Sequence, residues 1–394
     1  MNDLSKETPK AVNKARAADG RALESSPLRI VRVDAIPVAL PLKKAVVMAG
    51  ERIERSMNLL VRVEAGNGLV GWGEASSAPV MTGDLLPGMV AAVDQRLAPL
   101  LLGEDALRRA ALIRRFDAAL VGNTGAKCAV DMALADLVGR HLGVSVAELF
   151  GGPVREELVP MYLLGNPKVE DDIAEAEREL AAGWRVFKLK VGFKAPLEEA
   201  AAALEVRRCL GDDVVLCADA NAGMTFANAR LFAERALDAR LLFLEQPLGS
   251  QDFDGMAALA KVCAIPLNGD ESIAGVRDIQ TLHRMGAIQG ANIKTIKMGG
   301  MGPAVDAMTI CSALGLHINL ACKVAESSIA AAAIAHLGSV APNLDWGLNV
   351  TQHYLAEDLC ENALQIENGL LGRPLGPGLG VMVSEERVAR FRIP

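Results

Sequence analysis

The chain has 394 residues, 51% of them hydrophobic, and 48 acidic against 41 basic side chains give a formal net charge of -7. That length can bury a large core and accommodates two or three domains, or one barrel with an appendage. The acidic balance, with no basic stripe, argues against a general nucleic-acid surface, which depends on clustered Lys and Arg. No stretch is long and apolar enough to span a bilayer.

Residues 1–26, MNDLSKETPKAVNKARAADGRALESS, mix both charge signs without an apolar core of signal-peptide length and read as a flexible tail. The seven cysteines are scattered and contain no CxxC pair, the pattern of reduced thiols in a cytoplasmic protein. From residue 28 to 75 the pattern is strand-like: LLVRVEAGNGLVGWGEA alternates Val61, Val63 and Ala65 with Arg62 and Glu64, then turns at Asn67-Gly68. Helical stretches are predicted over 86–101, 105–120 and 125–142. Strands followed by helices make residues 27–150 an α+β domain.

After Gly151-Gly152-Pro153 the rhythm becomes short β-rich runs alternating with amphipathic helices. The runs fall at 159–164, 185–190, 214–219, 241–245, 264–270, 291–297 and 316–321, with a possible eighth at 344–347. Between the first two, Val169, Ile173, Ala176 and Leu180 draw one helical face. Seven or eight such alternations are the signature of a (β/α) barrel over residues 151–360. A doubly wound open sheet is the competing architecture, but no GxGxxG follows a first strand. Residues 361–394 are expected to run back over the first domain.

Asp219, Glu245 and Asp270 each close a hydrophobic strand and lie one βα unit apart, so a barrel would bring them to one mouth. Three converging carboxylates repel unless a cation sits among them. All-oxygen ligands suit a hard divalent ion of the magnesium type, and the five histidines supply no HxH or HExxH for zinc. The alternative is that the acids cap the helices that follow. Lys188 and Lys190, two apart, share one strand face; turned into a barrel, each would lower the other's pKa and favour a neutral amine able to act as a base. Lys294 and Lys297 lie on or just after the sixth strand, across the mouth from Lys190. Solvent-exposed lysines are the alternative there.

In this order and spacing, KLK, DAN, EQP, GDES, NIKTIKMGG and AESS resemble the enolase superfamily, and the Lys/Lys arrangement resembles its muconate-lactonizing-enzyme subgroup. The resemblance runs from about residue 28 to the C-terminus. It implies an α/β fold, a (β/α)7β TIM-type barrel with an N-terminal α+β capping domain completed by the C-terminal segment. It implies Mg2+, or Mn2+, held by Asp219, Glu245 and Asp270, with Lys190 and Lys294 as acid/base catalysts on opposite faces of the substrate. Lys188 would tune Lys190, Asn221 would support the metal site, and Glu326 would stand near the substrate carboxylate unless it serves as N-terminal helix charge. His317 and His336 read as structural.

The shared chemistry implied is removal of a proton α to a carboxylate. The runs GEASSAPVMTGD and DWGLNVTQHYLAEDL are similar to the cis-3-hydroxy-L-proline dehydratases of that superfamily. Asp345 would then pair with the substrate's ring ammonium and Trp346 would pack over the ring. Residues 42–56 and 76–83 are expected as loops over the mouth. An amino-acid, proline-betaine or dipeptide racemase/epimerase using the same two lysines is the main alternative, and a non-catalytic binding barrel a second. The resemblance further implies a small-molecule amino-acid substrate and a homo-oligomer, dimer or octamer.

Overall fold

The computed structural model describes residues 26–48 and 51–394; the expected tail, except for Ser26, lies outside the described residues. The N-terminal domain begins with three antiparallel strands, β1 (Ile30–Met48), β2 (Glu51–Ala65) and β3 (Val70–Ser76). Asn67-Gly68 makes the β2–β3 turn as the sequence suggests, with Gly68 at φ +84° and the Asn67 side chain accepting from the Leu69 amide. The expectation of a loop over 42–56 is corrected. Most of it lies in a long β1–β2 hairpin, whose register runs from Ile30↔Ala65 out to Met48↔Glu51.

The sheet is backed by α1 (Thr124–Leu142), and the contact is backbone on backbone. A Cβ at Gly71 would lie 2.2 Å from the Ala133 carbonyl oxygen, and one at Gly73 1.9 Å from that of Ala129. Only glycine at both positions admits the helix this closely. Buried Asp136 on α1 then ties the layers together, accepting from the amides of Trp72 and Leu379 and from Arg140.

The second part is a barrel of eight parallel strands: β4 (Tyr162–Leu164), β5 (Val186–Lys190), β6 (Val215–Asp219), β7 (Leu244–Glu245), β8 (Leu267–Gly269), β9 (Gly290–Ile293), β10 (His317–Ala321) and β11 (Leu348–Asn349). The ring closes where the Met161 amide donates to the Leu348 carbonyl. A helix crosses between each successive pair, from α2 (Val169–Ala181) to α8 (Ser328–Val340), which gives (β/α)7β. On α2, Ala176 is buried and Val169, Ile173 and Leu180 pack against the core, as their spacing predicts. The sixth strand stops at Ile293, so Lys297 sits on the short helical turn Thr295–Met298 rather than in a strand.

Helix α8, SIAAAAIAHLGSV, is buried on nearly every side, as expected of a helix without a polar face. It lies between barrel and N-terminal domain. His336 within it is structural: its Nε2 meets the Leu379 carbonyl at 3.1 Å and burial pulls its pKa down to about 4. The chain then returns through Leu370–Gly372, paired with Glu157–Leu158, to the helix Glu385–Phe391 against β1. All seven cysteines are free thiols. Among the described residues no helix is long and apolar enough to cross a membrane.

The barrel floor corrects two expectations. The eighth strand is Leu348–Asn349, four residues beyond the start of the predicted LDWG run, so Asp345 and Trp346 precede it and lie at the end opposite the mouth. Asp345 pairs with His317 at the start of β10 and accepts from the Ile318 amide. Trp346 is buried, stacked between Phe243 at 4.7 Å and His317 at 4.8 Å, and clusters with Met161, Val186 and Cys217. Gly290 makes room for its indole, since a Cβ there would come within 2.2 Å of the ring. Trp346 is a plug of the lumen, and neither residue can reach a ligand at the mouth.

Candidate active site

Parallel register sets Lys190 of β5 beside Asp219 of β6, and Asp219 beside Glu245 of β7. Alternation along β5 turns Lys188 and Lys190 into the lumen while Phe187 and Leu189 face the helices. Asp270 follows β8 in a loop held by Gln246, whose Oε1 accepts from the Asp270 and Ser272 amides and from the Ser272 hydroxyl. That contact explains why EQP and GDES occur together. Asn221, at φ +41°, donates its amide to Asp219 Oδ1, accepts from Lys190 at 2.5 Å and donates to Glu271 at 3.1 Å. The aspartate and asparagine of CADAN are thus one turn, which presents a carboxylate and an amide to the same amine.

The three acids are buried, and each holds a lysine. Lys190 donates to Asp219 at 2.6 Å, Lys188 to Glu245 at 2.8 Å, and Lys294 and Lys297 each to Asp270 at 2.5 Å. Asn292 donates to the other oxygen of Glu245 at 2.5 Å. Ammonium groups thus offset the mutual repulsion of these acids. The expected neutral amine at Lys188 is corrected. Burial pulls its pKa down, but Glu245 and Asp219 outweigh burial and hold it protonated. Burial would raise Asp270, yet Lys294 and Lys297 keep it well below the usual carboxylate range. Glu245 is pushed up, first by burial and then by Asp219 and Asp270.

As placed, each carboxylate is turned to its own amine. Among the described residues no group of three His, Cys, Asp or Glu side chains closes around a point that could hold a metal. The donor set nevertheless fits a hard divalent cation: oxygen atoms alone, on three consecutive βα units, buried together and each within the field of the others. Asp219, Glu245 and Asp270 would hold it by turning from lysine to metal.

Lys190 and Lys294 stand four staves apart, on opposite walls, and line one cavity of about 60 Å³ with Asp219, Asn221, Glu245 and Asn292. Met81 of the N-terminal domain reaches it, its sulfur 3.9 Å from Lys294 Nζ, as the loop expected over 76–83 requires. Lys323, Thr351 and Tyr354 also line it and were not singled out in the sequence. Lys323 could have been found, because it follows a buried strand end as Lys294 does. A larger cavity of about 1070 Å³ adjoins, sharing Leu163, Lys190 and Tyr354.

Glu326 does not line the cavity; it lies behind it at the domain interface. Its two oxygens accept from the Ser76 and Lys323 amides, and burial, reinforced by Glu74, raises its pKa to about 7. Glu74 answers from the other domain, accepting from the Ser327 amide and hydroxyl and from the Ala330 amide at the start of α8.

A closed parallel barrel with buried carboxylates and amines at the C-terminal ends of its strands defines an acid/base enzyme of the TIM-barrel class. Comparison with known proteins narrows this. Residues 30–151 match the mandelate racemase / muconate lactonizing enzyme N-terminal domain, and residues 171–387 match the enolase C-terminal domain-like family. The chain belongs to the mandelate racemase/muconate lactonizing enzyme family of the enolase superfamily. Muconate cycloisomerase 1-2 of Acinetobacter lwoffii is 30% identical over 93% of this chain and 96% of its own. L-Ala-D/L-Glu epimerase of Bacillus subtilis is 28% identical over 90% and 97%. The muconate lactonizing enzyme of Pseudomonas fluorescens, solved with muconolactone, superposes with a TM-score of 0.89 at 29% identity, over 93% of this chain and 100% of that one.

Proposed function

We propose that the protein abstracts the α-proton of a small amino-acid carboxylate and eliminates water, acting on cis-3-hydroxy-L-proline to give pyrroline-2-carboxylate. The observation that carries this is the pair Lys190 and Lys294, on opposite walls of one small cavity that Asp219 and Glu245 also line. In cis-3-hydroxy-L-proline the α-hydrogen and the hydroxyl lie on opposite ring faces, so amines on opposite walls suit an anti elimination. Lys190 takes the α-proton, Lys294 protonates the departing hydroxyl, and the enamine left after water loss tautomerises to the cyclic imine. A cavity of about 60 Å³ has room for roughly four to six waters, which suits a compact substrate.

Asp219, Glu245 and Asp270 are the residues that would hold Mg2+. When bound, the cation supplies positive charge to the substrate carboxylate as the α-proton leaves, which is Lewis-acid stabilisation. Lys190 and Lys294, which Asp219 and Asp270 hold on opposite walls, are the groups that move the two protons.

Racemisation or epimerisation is the second reading, favoured by the symmetry of the pair: each amine is held by one aspartate on its own wall. Incubation with cis-3-hydroxy-L-proline, L-proline betaine, L-Ala-L-Glu and cis,cis-muconate in deuterated water with MgCl2, followed by NMR, separates the cases. Loss of water from the hydroxyproline supports the first reading. Deuterated, inverted starting material without water loss supports the second, and lactone from muconate with neither of these overturns both. If Lys190→Ala still exchanged the α-proton at the parent rate, the assignment of the base would be wrong.

A further inference from the structure

GDES carries a second acid, Glu271, beside the expected metal donor Asp270. Gln246, just after β7, joins the loop that holds it to the turn after β6. The Gln246 side-chain oxygen accepts from the amides of Asp270 and Ser272, on either side of Glu271, while its carbonyl accepts from the Ala222 amide at 2.8 Å. Glu271 is thereby set against Asn221, whose Nδ2 donates to Glu271 Oε1 at 3.1 Å. The other end of the same carboxamide, Oδ1, accepts from Lys190 at 2.5 Å. Reversed, the carboxamide would set N–H against ammonium and oxygen against carboxylate, and both bonds would be lost. An aspartate at 221 could take the ammonium but could not donate to Glu271. Asn221 and Ala222 both take left-handed φ, +41° and +60°, which costs Ala222 about 1 kcal/mol. Strain that the surroundings over-determine gathers where a side chain must be aimed. Glu271 Oε2 is buried and, among the described residues, meets no donor. A buried carboxylate oxygen left unpaired weakens a fold, so stability does not account for this acid.

We propose that Glu271 is a positioning residue for proton abstraction: it fixes the Asn221 carboxamide with its oxygen toward Lys190, and so holds the amine where the α-proton is taken. This deepens the reading above and rests on Lys190 as the base. Glu271 stands behind Asn221 and does not line the catalytic cavity, so it acts without touching substrate. Asp219 also holds the amine, but it is one of the three acids suited to a cation. The Asn221 oxygen, among the described residues, serves Lys190 alone. On the opposite wall Lys294 meets Asp270 directly, without a carboxamide between acid and amine. Loss of Glu271 should therefore slow the step that Lys190 performs and leave substrate binding as it was.

The test compares three variants. Glu271→Met removes the acceptor, Glu271→Asp keeps the charge but shortens the reach by a methylene, and Glu271→Gln keeps the reach and an acceptor oxygen without the charge. Exchange of the α-proton of cis-3-hydroxy-L-proline and of L-proline with deuterated solvent is followed by NMR in MgCl2; proline has no hydroxyl to lose and reads the abstraction step alone. Glu271→Met and Glu271→Asp should slow exchange about ten- to a hundredfold with KM within about twofold of the parent, and Glu271→Gln should recover most of the rate. In an Asn221→Ala background, Glu271→Met should slow exchange no further, because its effect runs through the carboxamide. Reductive methylation with formaldehyde, read by mass spectrometry as the ratio of Lys190 to Lys294 labelling, needs no turnover. That ratio should rise severalfold in Glu271→Met and Glu271→Asp and stay at the parent value in Glu271→Gln. Should melting curves show Glu271→Met misfolded, the Asp and Gln variants decide. Parent-like exchange in the Met and Asp variants, equal slowing in the Asp and Gln variants, or a Mg2+ affinity that falls with the rate overturns the proposal. A parent that exchanges neither compound sinks the substrate reading and leaves Glu271 to the labelling ratio, which overturns its role if it is the same in every variant.

Discussion

Glu326→Gln should abolish a pH dependence of stability that the buried interface creates. In the parent, Glu326 is enclosed by Ser76, Lys323 and Glu74, with Cys322 close by, and its pKa rises from 4.5 to about 7, by burial first and Glu74 second. A carboxyl whose folded pKa lies above its unfolded one holds its proton longer in the native state. Its contribution is complete below pH 4.5 and is lost as pH climbs through 7. The displacement corresponds to about 3 kcal/mol. Glutamine resembles the protonated acid, an acceptor on one side and a donor on the other, and does not titrate. Urea unfolding followed by circular dichroism at intervals between pH 4.5 and 8 should therefore show the parent losing about 3 kcal/mol relative to Glu326→Gln. Parallel stability profiles for the two proteins would refute the argument, because they would mean that the buried carboxyl titrates alike in folded and unfolded chains.

Trp346→Ala should destabilise the fold by about 3–5 kcal/mol, since it empties a stacked plug of the barrel, while the folded fraction keeps the parent KM; a KM rise would restore Trp346 to the substrate. Asp345→Asn should likewise leave KM within about twofold, because an exposed ion pair at the floor contributes little. Asn58→Ala deprives Glu74 and the Ala325 carbonyl of a buried donor and should cost about 1–3 kcal/mol in urea unfolding; unchanged stability would refute the role of Asn58 in tying the two domains together. Saturating Mg2+, at about a hundred times its Kd, should stabilise the parent by about 2.7 kcal/mol and leave Asp270→Asn unmoved. A parent whose melting ignores both Mg2+ and chelator would remove the cation from the mechanism.

Much of the site is local enough to read along the chain. CADAN, EQP, GDES and KLK are each a strand end with its turn, and the spacing of one βα unit brings them to a single mouth once the barrel closes. The eighth stave was misplaced because Leu348–Asn349 is too short to show a period, and the apolar run around Trp346 belongs to the floor. The loop over 42–56 was expected from the resemblance, and the hairpin found there agrees instead with the strand-like pattern of residues 28–75.

By itself, the order of apolar runs and polar ends determined the barrel, its cap and the identity of the acids and amines at the mouth, because alternation along a strand is a local property. Only the tertiary structure decided which amine each carboxylate holds, that Glu326 titrates near neutrality between two domains, and that Lys323 shares the cavity. Those outcomes depend on distance and burial between segments far apart in the chain, and no local pattern encodes either.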